Sequence, residues 1–525
     1  MNSLKVLLGF PELHLRSKIA QFCVNTKITY FLRAKYPEVG VDTLEDLDVA
    51  FEDFYAHTLE FPELYHEPDS CDDSEAYRRT LKQIRFDIRD GGLGLTSANC
   101  IAPAALYATM LDFVIWWDKH EELKVRASEN YAAANITCAL DCMEQCGGIQ
   151  RADEFVDPPL ADSPLQLPTA VGVLHWPVQK LPSQRTITRA LKAHDRKQFI
   201  SELPEGDKLR LKAVSRQAVP ALSQESDIAP GDNSRDSLYQ TPMSLHGLMC
   251  QYELSNEAFL VTSAIAFGYP MPKSVPTAAG QQDKWGDIAL NGSSSVRIKT
   301  HNRIANEVAS IARESGIQME AGEKFVPVVQ VSVTAAGGRR QARPGPRMGR
   351  GDIVTKHGGI VPDNPKYRLD RWTRLVMDAI LCHVYTSRDH CFKKNTLKYW
   401  QCSKNRKYQS AYHRARFAFA PLVSNSFGQM EGDFLRFLFK CAHNAAWTSV
   451  GLGNIEPDDR EPISQHDMEE LMEAYKAFRG LLFQRYRSRM LLTIAKAVTE
   501  RLFGRSSARS VDAEYRAFAN HSREP

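Results

Sequence analysis

The sequence predicts an α+β, multidomain fold, on three observations. Apolar residues recur at helical spacing through most of the N-terminal half and again near the C-terminus. Between residues 325 and 423, three short runs are apolar and rich in β-branched side chains. A chain of 525 residues also exceeds what one ordinary hydrophobic core encloses. Its composition, 43% hydrophobic and 25% charged, is that of a globular protein.

The mostly helical N-terminal half begins with Leu4, Leu7 and Leu8, broken by Pro11. Leu15, Ile19, Phe22, Ile28 and Phe31 continue the apolar spacing, and residues 44–59 form another amphipathic helix. Residues 62–76 are an acidic loop whose Asp72 and Asp73 lack the flanking apolar strands of a metal turn. The run Gly91–Gly92–Leu93–Gly94 precedes a small-residue helix from Ala98. Such turns can cradle phosphate, but neither a following Lys-Ser/Thr nor dinucleotide spacing is present. A turn requiring positive φ is the expectation, and no nucleotide cofactor is expected. Cys138, Cys142 and Cys146 share one helix face and are expected to pack as small apolar residues.

Residues 149–183 are rich in proline and acids, and 203–240 are polar and turn-rich. The segments expected are therefore 1–148, a helical region; 149–295, a helical linker; 296–450, an α/β unit; 451–505, an amphipathic helical extension; and 506–525, a polar disordered tail. The longest apolar stretch, Ala104 to Trp117, is interrupted by Asp112 and reads as a core helix. Neither a membrane span nor a secretory signal is read, and the cysteines are odd in number and scattered. An intracellular protein, in nucleus or cytoplasm, is the expectation.

Charge is distributed unevenly. Residues 297–420 hold 24 lysines and arginines against 9 aspartates and glutamates; the remainder holds 42 against 54. Such a basic module implies a polyanion, DNA or RNA, as partner. Arg339, Arg340, Arg343, Arg347, Arg350 and Arg406 are the candidate contacts. Two acids stand in apolar settings within the same span: Asp352 in GRGDIV and Asp378 in RLVMDAIL. An unpaired acid in a strand costs several kcal/mol, so a cation must compensate. Two such acids at neighbouring strands can hold Mg²⁺ or Mn²⁺, with Glu320 or Glu323 completing the ligands. A lysine close to the metal-bound water would help orient or deprotonate it for phosphodiester hydrolysis. The alternative is two acids paired with local arginines such as Arg350 and Arg374.

The order Arg297-x3-His301–Asn302, Gly351–Asp352–Ile353, Val376–Met377–Asp378–Ala379–Ile380, Lys404-x2-Lys407–Tyr408 and Phe419–Ala420–Pro421–Leu422–Val423 carries a resemblance. It resembles the C-terminal restriction-like endonuclease of site-specific non-LTR retrotransposons and of host proteins derived from them. The resemblance implies a PD-(D/E)XK core, a mixed sheet flanked by helices, with its lysine moved to a downstream helix. It implies Asp352 and Asp378 as metal ligands, Lys404 or Lys407 as the catalytic lysine, and Arg297 and His301 as a helix start without an assigned role. Upstream, Leu13 to Tyr36 and the Gly91–Leu95 turn resemble the thumb and linker that follow the polymerase core in such elements.

Departures accompany it. The polymerase palm and its aspartates are missing, so no polymerase activity is expected. At the zinc-knuckle positions stand Thr277, Ala279, Ile288 and Gly292, none a zinc ligand, so no zinc is expected. The insert 358–371 must loop out. A replacement set, Cys382, His383, His390, Cys391 and Cys402, has no knuckle spacing. The expected function is a retroelement-derived nucleic-acid-binding protein with a metal-dependent endodeoxyribonuclease domain, active or degenerate. The alternative is a non-catalytic nucleic-acid-binding or protein-interaction remnant.

Overall fold

The computed structural model divides into two units, Met1–Leu211 and Lys212–Pro525. The residues it describes are 2–35, 41–62, 73–87, 90–118, 126–155, 164–214, 254–275, 283–291, 294–320, 324–328, 347–356, 374–386, 390–393, 395–415, 417–450 and 465–521. The first unit ends within the segment 149–295 that the sequence reads as one linker region. Asp72, the knuckle-like positions Thr277, Ala279 and Gly292, and the insert 358–371 lie outside the described residues.

The first unit is helical. Asn2–Leu8 and Leu13–Ile19 lead through a wide turn into Asn25–Lys35, followed by Val41–Thr58, Ser74–Ile84, Ala98–Asp118, Arg126–Cys146 and Gln184–Glu202. A short parallel ladder joins β1 (Ile149–Ala152) to β2 (Leu165–Pro168). The core gathers around Ala98–Asp118, where Ala104, Leu106 and Tyr107 meet Ile136, Leu140 and Met143 of the next helix and Ile187 and Leu191 of Gln184–Glu202. Ala98–Trp116 is long and apolar enough to cross a membrane by length and composition. Of that stretch 56% is buried inside the protein, where Ala104, Leu106 and Tyr107 belong to the core, while Trp116 is exposed.

The glycine turn works as the backbone argument anticipates. Gly91 and Gly94 have φ of +88° and +73°, and a Cβ on Gly92 would lie 2.2 Å from the Phe86 carbonyl oxygen. The following helix N-terminus is already occupied. Asp48 accepts from the amides of Ala98 at 2.7 Å and Asn99 at 3.3 Å, and from the Ser97 hydroxyl at 2.5 Å. The turn therefore seats a carboxylate of its own chain where a phosphate would bind. The cysteine stripe corrects the sequence reading. Cys138 and Cys146 are exposed and Cys142 is half-buried, while Ile136, Ala139, Leu140 and Met143 on the opposite face fill the core.

The second unit is α+β. Among the described residues its sheets are small: an antiparallel pair, β3 (Lys324–Val328) with β4 (Arg347–Gly351), and a three-stranded sheet of β5 (Ile353–Val354), β6 (Arg374–Cys382) and β7 (Phe417–Asn425). β6 lies between β5, antiparallel, and β7, parallel, with Asp378 opposite Pro421. Every residue of β7 is buried, as expected of parallel strands covered on both faces. Among the described residues β7 is an edge strand of this sheet, a position at which Pro421 is tolerated. The crossover from β6 to β7 carries the helix Thr396–Lys404, a wide turn Asn405–Gln409, and the helix Ser410–Arg414. Ser294–Glu314 packs on β6, Gly432–Ser449 on β7, and Gln465–His521 runs across both of these helices.

That last helix runs past the boundary expected at residue 505. Its backbone continues without interruption to His521, through residues 506–521. Ion pairs join it to Ser294–Glu314: Arg303 with Glu500, and Arg489 with Glu307 and Glu314. In the first unit, Asp48→Ala should lower stability by about 1–2 kcal/mol, since it removes a helix N-cap that accepts several bonds. Urea denaturation followed by circular dichroism measures this, and an unchanged midpoint would remove Asp48 as the cap.

Candidate metal centre

Asp352 sits at the bend between β4 and β5. Its amide donates to the Met377 carbonyl at 3.0 Å, which fixes it beside the middle of β6. One carboxylate oxygen accepts from the Ala379 amide at 3.2 Å, and the other meets His301 Nε2 at 3.0 Å. Asp378 lies one residue along β6 and is buried. Its Oδ2 accepts from Lys404 Nζ at 2.5 Å. Ligand atoms of His301, Asp352 and Asp378 all lie within 4.8 Å of one another, spacing suited to a single metal ion.

Electrostatics follow from this crowding. Burial pushes the Asp378 carboxyl up to about 6, and the nearby Asp352 adds to the rise while Lys404 opposes it. Burial also acts on Asp352, but its bond to His301 outweighs that and holds it below its ordinary value. The same bond raises His301. Burial and the two acids raise the Tyr412 phenol, which packs under β6 and β7.

The candidate lysines separate. Lys404 ends its helix at Asp378, whereas Lys407 is exposed, with its ammonium 4.7 Å from the Tyr408 ring centre. Both ammoniums lie over the Tyr408 ring, Lys404 at 5.3 Å from its centre, but of the two it is Lys404 that reaches Asp378. Glu320 is outside the triad. Its carboxylate pairs with Arg374 at 2.8 Å, and its amide donates to the Val354 carbonyl. Arg374 thus pairs with Glu320 rather than with either aspartate, and Glu323 lies outside the described residues. So do Arg339, Arg340 and Arg343; Arg347 and Arg350 lie on the β4 backbone, and Arg406 is exposed.

His301 is the ligand candidate that sequence reasoning left without a role. Its sequence signal was available: it follows Arg297 by one helical turn and continues the spacing of Ile304, Val308 and Ile311, a polar residue on the stripe that faces the core.

The imagined replacement zinc set is a different arrangement. His383 Nε2 lies 2.7 Å from one oxygen of Asp287, and His390 Nδ1 2.6 Å from the other. His390 is stacked between Trp285 and Tyr385 at 4.1 and 4.0 Å. Cys382 Sγ lies 3.2 Å from the Ser424 carbonyl oxygen, and Cys391 and Cys402 are exposed. Gly286, at φ +71°, turns the chain into Asp287, and a Cβ there would meet Leu502 at 2.6 Å. The two histidines clamp an aspartate instead of joining the cysteines around an ion.

Lys404→Met should destabilise the protein by about 2 kcal/mol, less than a fully buried pair because the lysine is partly exposed. Adding Asp378→Asn should recover most of that loss in urea denaturation. Equal losses in the single and double variants would show that the loss does not come from leaving the Asp378 carboxylate unpaired.

The His383 network has its own signature. Burial holds His383 below its ordinary value despite Asp287. Burial of Asp287 is outweighed by the two imidazole bonds, so it too is lowered. The unfolded chain therefore takes up a proton near pH 6.5 that folded His383 refuses, and its share of stability falls as pH drops below that value. The slope is at most about 1.4 kcal/mol per pH unit. Thermal unfolding between pH 7.5 and 5.5 should show a smaller loss in His383→Gln than in the parent. An identical pH slope in both would contradict the assignment.

In comparisons with protein-family models and with curated proteins, no family model and no curated protein matches the chain.

Proposed function

We propose that the second unit is a metal-dependent endodeoxyribonuclease of the restriction-like type, belonging to a retroelement-derived nucleic-acid-binding protein. One observation carries the reading: His301, Asp352 and Asp378 converge within 4.8 Å, with Lys404 on Asp378. A mixed sheet carrying an acid at a bend, an acid in the adjoining strand and a lysine on the following helix is what the resemblance to retrotransposon endonucleases leads one to expect.

His301, Asp352 and Asp378 would hold one divalent cation. Two carboxylates suit Mg²⁺ or Mn²⁺, and the imidazole nitrogen favours Mn²⁺ of the two. When bound, such an ion neutralises charge developing on a phosphate and makes a water more acidic. The Ala379 amide and Met377 carbonyl keep Asp352 oriented. Lys404 supplies a fixed positive charge and a hydrogen-bond donor where a phosphodiester would enter. Exposed Arg406 and Lys407 extend positive charge along the same helical crossover.

A second reading has one observation in its favour. Lys404 and His301 already partner the two acids, as they would in a non-catalytic nucleic-acid-binding remnant.

Nicking of supercoiled plasmid with Mn²⁺ separates the readings. The full chain should nick, and Asp352→Asn and Asp378→Asn should each slow it by about a hundredfold or more. Lys404→Ala should slow it by a similar factor, and Lys407→Ala should leave it near the parent rate. Folded protein that nicks under no metal and salt condition sinks the hydrolytic reading and leaves the remnant.

A further inference from the structure

We infer that a cavity of about 430 Å³ next to the acid cluster is a subsite for one unpaired nucleotide of a DNA strand. The inference deepens the endonuclease reading and rests on it. Three elements build both places. Ser294–Glu314 gives Arg297 to the cavity and, one turn later, His301 to the cluster. Thr396–Lys404 gives Trp400 to the cavity and, one turn later, Lys404 to Asp378. On β6, Ile380 lines the cavity two residues beyond Asp378, on the same face of the strand.

The lining suits a nucleotide in both halves. Arg297, Lys393 and Arg501 bring positive charge, and the described lining residues include neither aspartate nor glutamate. Arg501 is buried, and its guanidinium donates to Thr300 Oγ1 and to the carbonyls of Leu290 and Leu381, none of them charged. Burial and neighbouring Arg297 lower it to about 10, so the positive charge is held there at a cost. Lys393 donates to the neutral Asn291 amide oxygen at 3.0 Å. A concave site with surplus positive charge attracts an anion. Trp400 is half-buried and Tyr399 is 67% exposed, their rings 5.7 Å apart. Such rings receive an unstacked base. Phosphate alone would leave them unused, and a base held in a duplex cannot enter without leaving its stack. The volume falls in the range of small-molecule pockets, roughly 300–1,000 Å³.

Fluorescence anisotropy tests this on the full chain in EDTA, so that binding is read apart from cleavage. The probes are a labelled short single-stranded oligodeoxynucleotide and the blunt duplex of the same sequence. Single strand should bind more tightly than duplex. Arg297→Ala, at an exposed position, and Trp400→Ala should each weaken single-strand binding by about tenfold and leave duplex binding unchanged. Trp400→Phe should retain most of the affinity. Equal weakening on both probes, no weakening, or competition by free dTMP as effective as the strand itself would overturn the subsite. Selectivity that survives without plasmid nicking removes only the hydrolytic reading; nicking without selectivity removes only this one.

Discussion

Two carboxylates brought together inside a protein repel each other and lose their hydration, and the second unit is arranged around that cost. Asp352 and Asp378 are adjacent because β5 and β6 are paired with Met377 opposite Ile353. A one-residue slip would put Asp378 on the other face of the sheet. Three elements supply compensation: an imidazole comes from Ser294–Glu314, an ammonium from Thr396–Lys404 and an amide from β6 itself. The parallel crossover to β7 serves this purpose as much as packing does, since it carries the lysine back over the strand that bears the acid.

The first unit shows the same economy with a single acid. Asp48 is buried and receives a helix N-terminus, a serine hydroxyl and Arg85. There the carboxylate is fully satisfied by its own chain, which explains why a glycine-rich turn before a helix need not be a ligand site. The contrast is instructive. Asp48 is met by backbone amides that cannot leave, whereas Asp378 is met by a long lysine side chain that can exchange partners.

Much of this was legible in the sequence, for identifiable reasons. β6 and β7 were readable because strands buried on both faces are continuously apolar, and an acid interrupting one stands out. The resemblance offered Lys404 and Lys407 equally, and nothing in the local sequence said which of them would reach Asp378 across the crossover. His301 was visible but unassigned, because its partner lies 51 positions away and only strand pairing brings Asp352 to it. Asp287 gave no signal, as its two histidines come from beyond β6. The cysteine stripe misled because helical spacing identifies a shared face without saying which face is inward.

Arg501 carries a consequence for how the protein is made. It belongs to the last helix, yet its guanidinium closes on carbonyls of Leu290 and Leu381 and on Thr300, residues that leave the ribosome far earlier. Leu290 and Leu381 cannot acquire these bonds until more than a hundred further residues have been translated. Maturation of this region is therefore tied to late synthesis, and an intermediate arrested before residue 501 would carry the acids and the lysine while the carbonyls of Leu290 and Leu381 still lacked this donor.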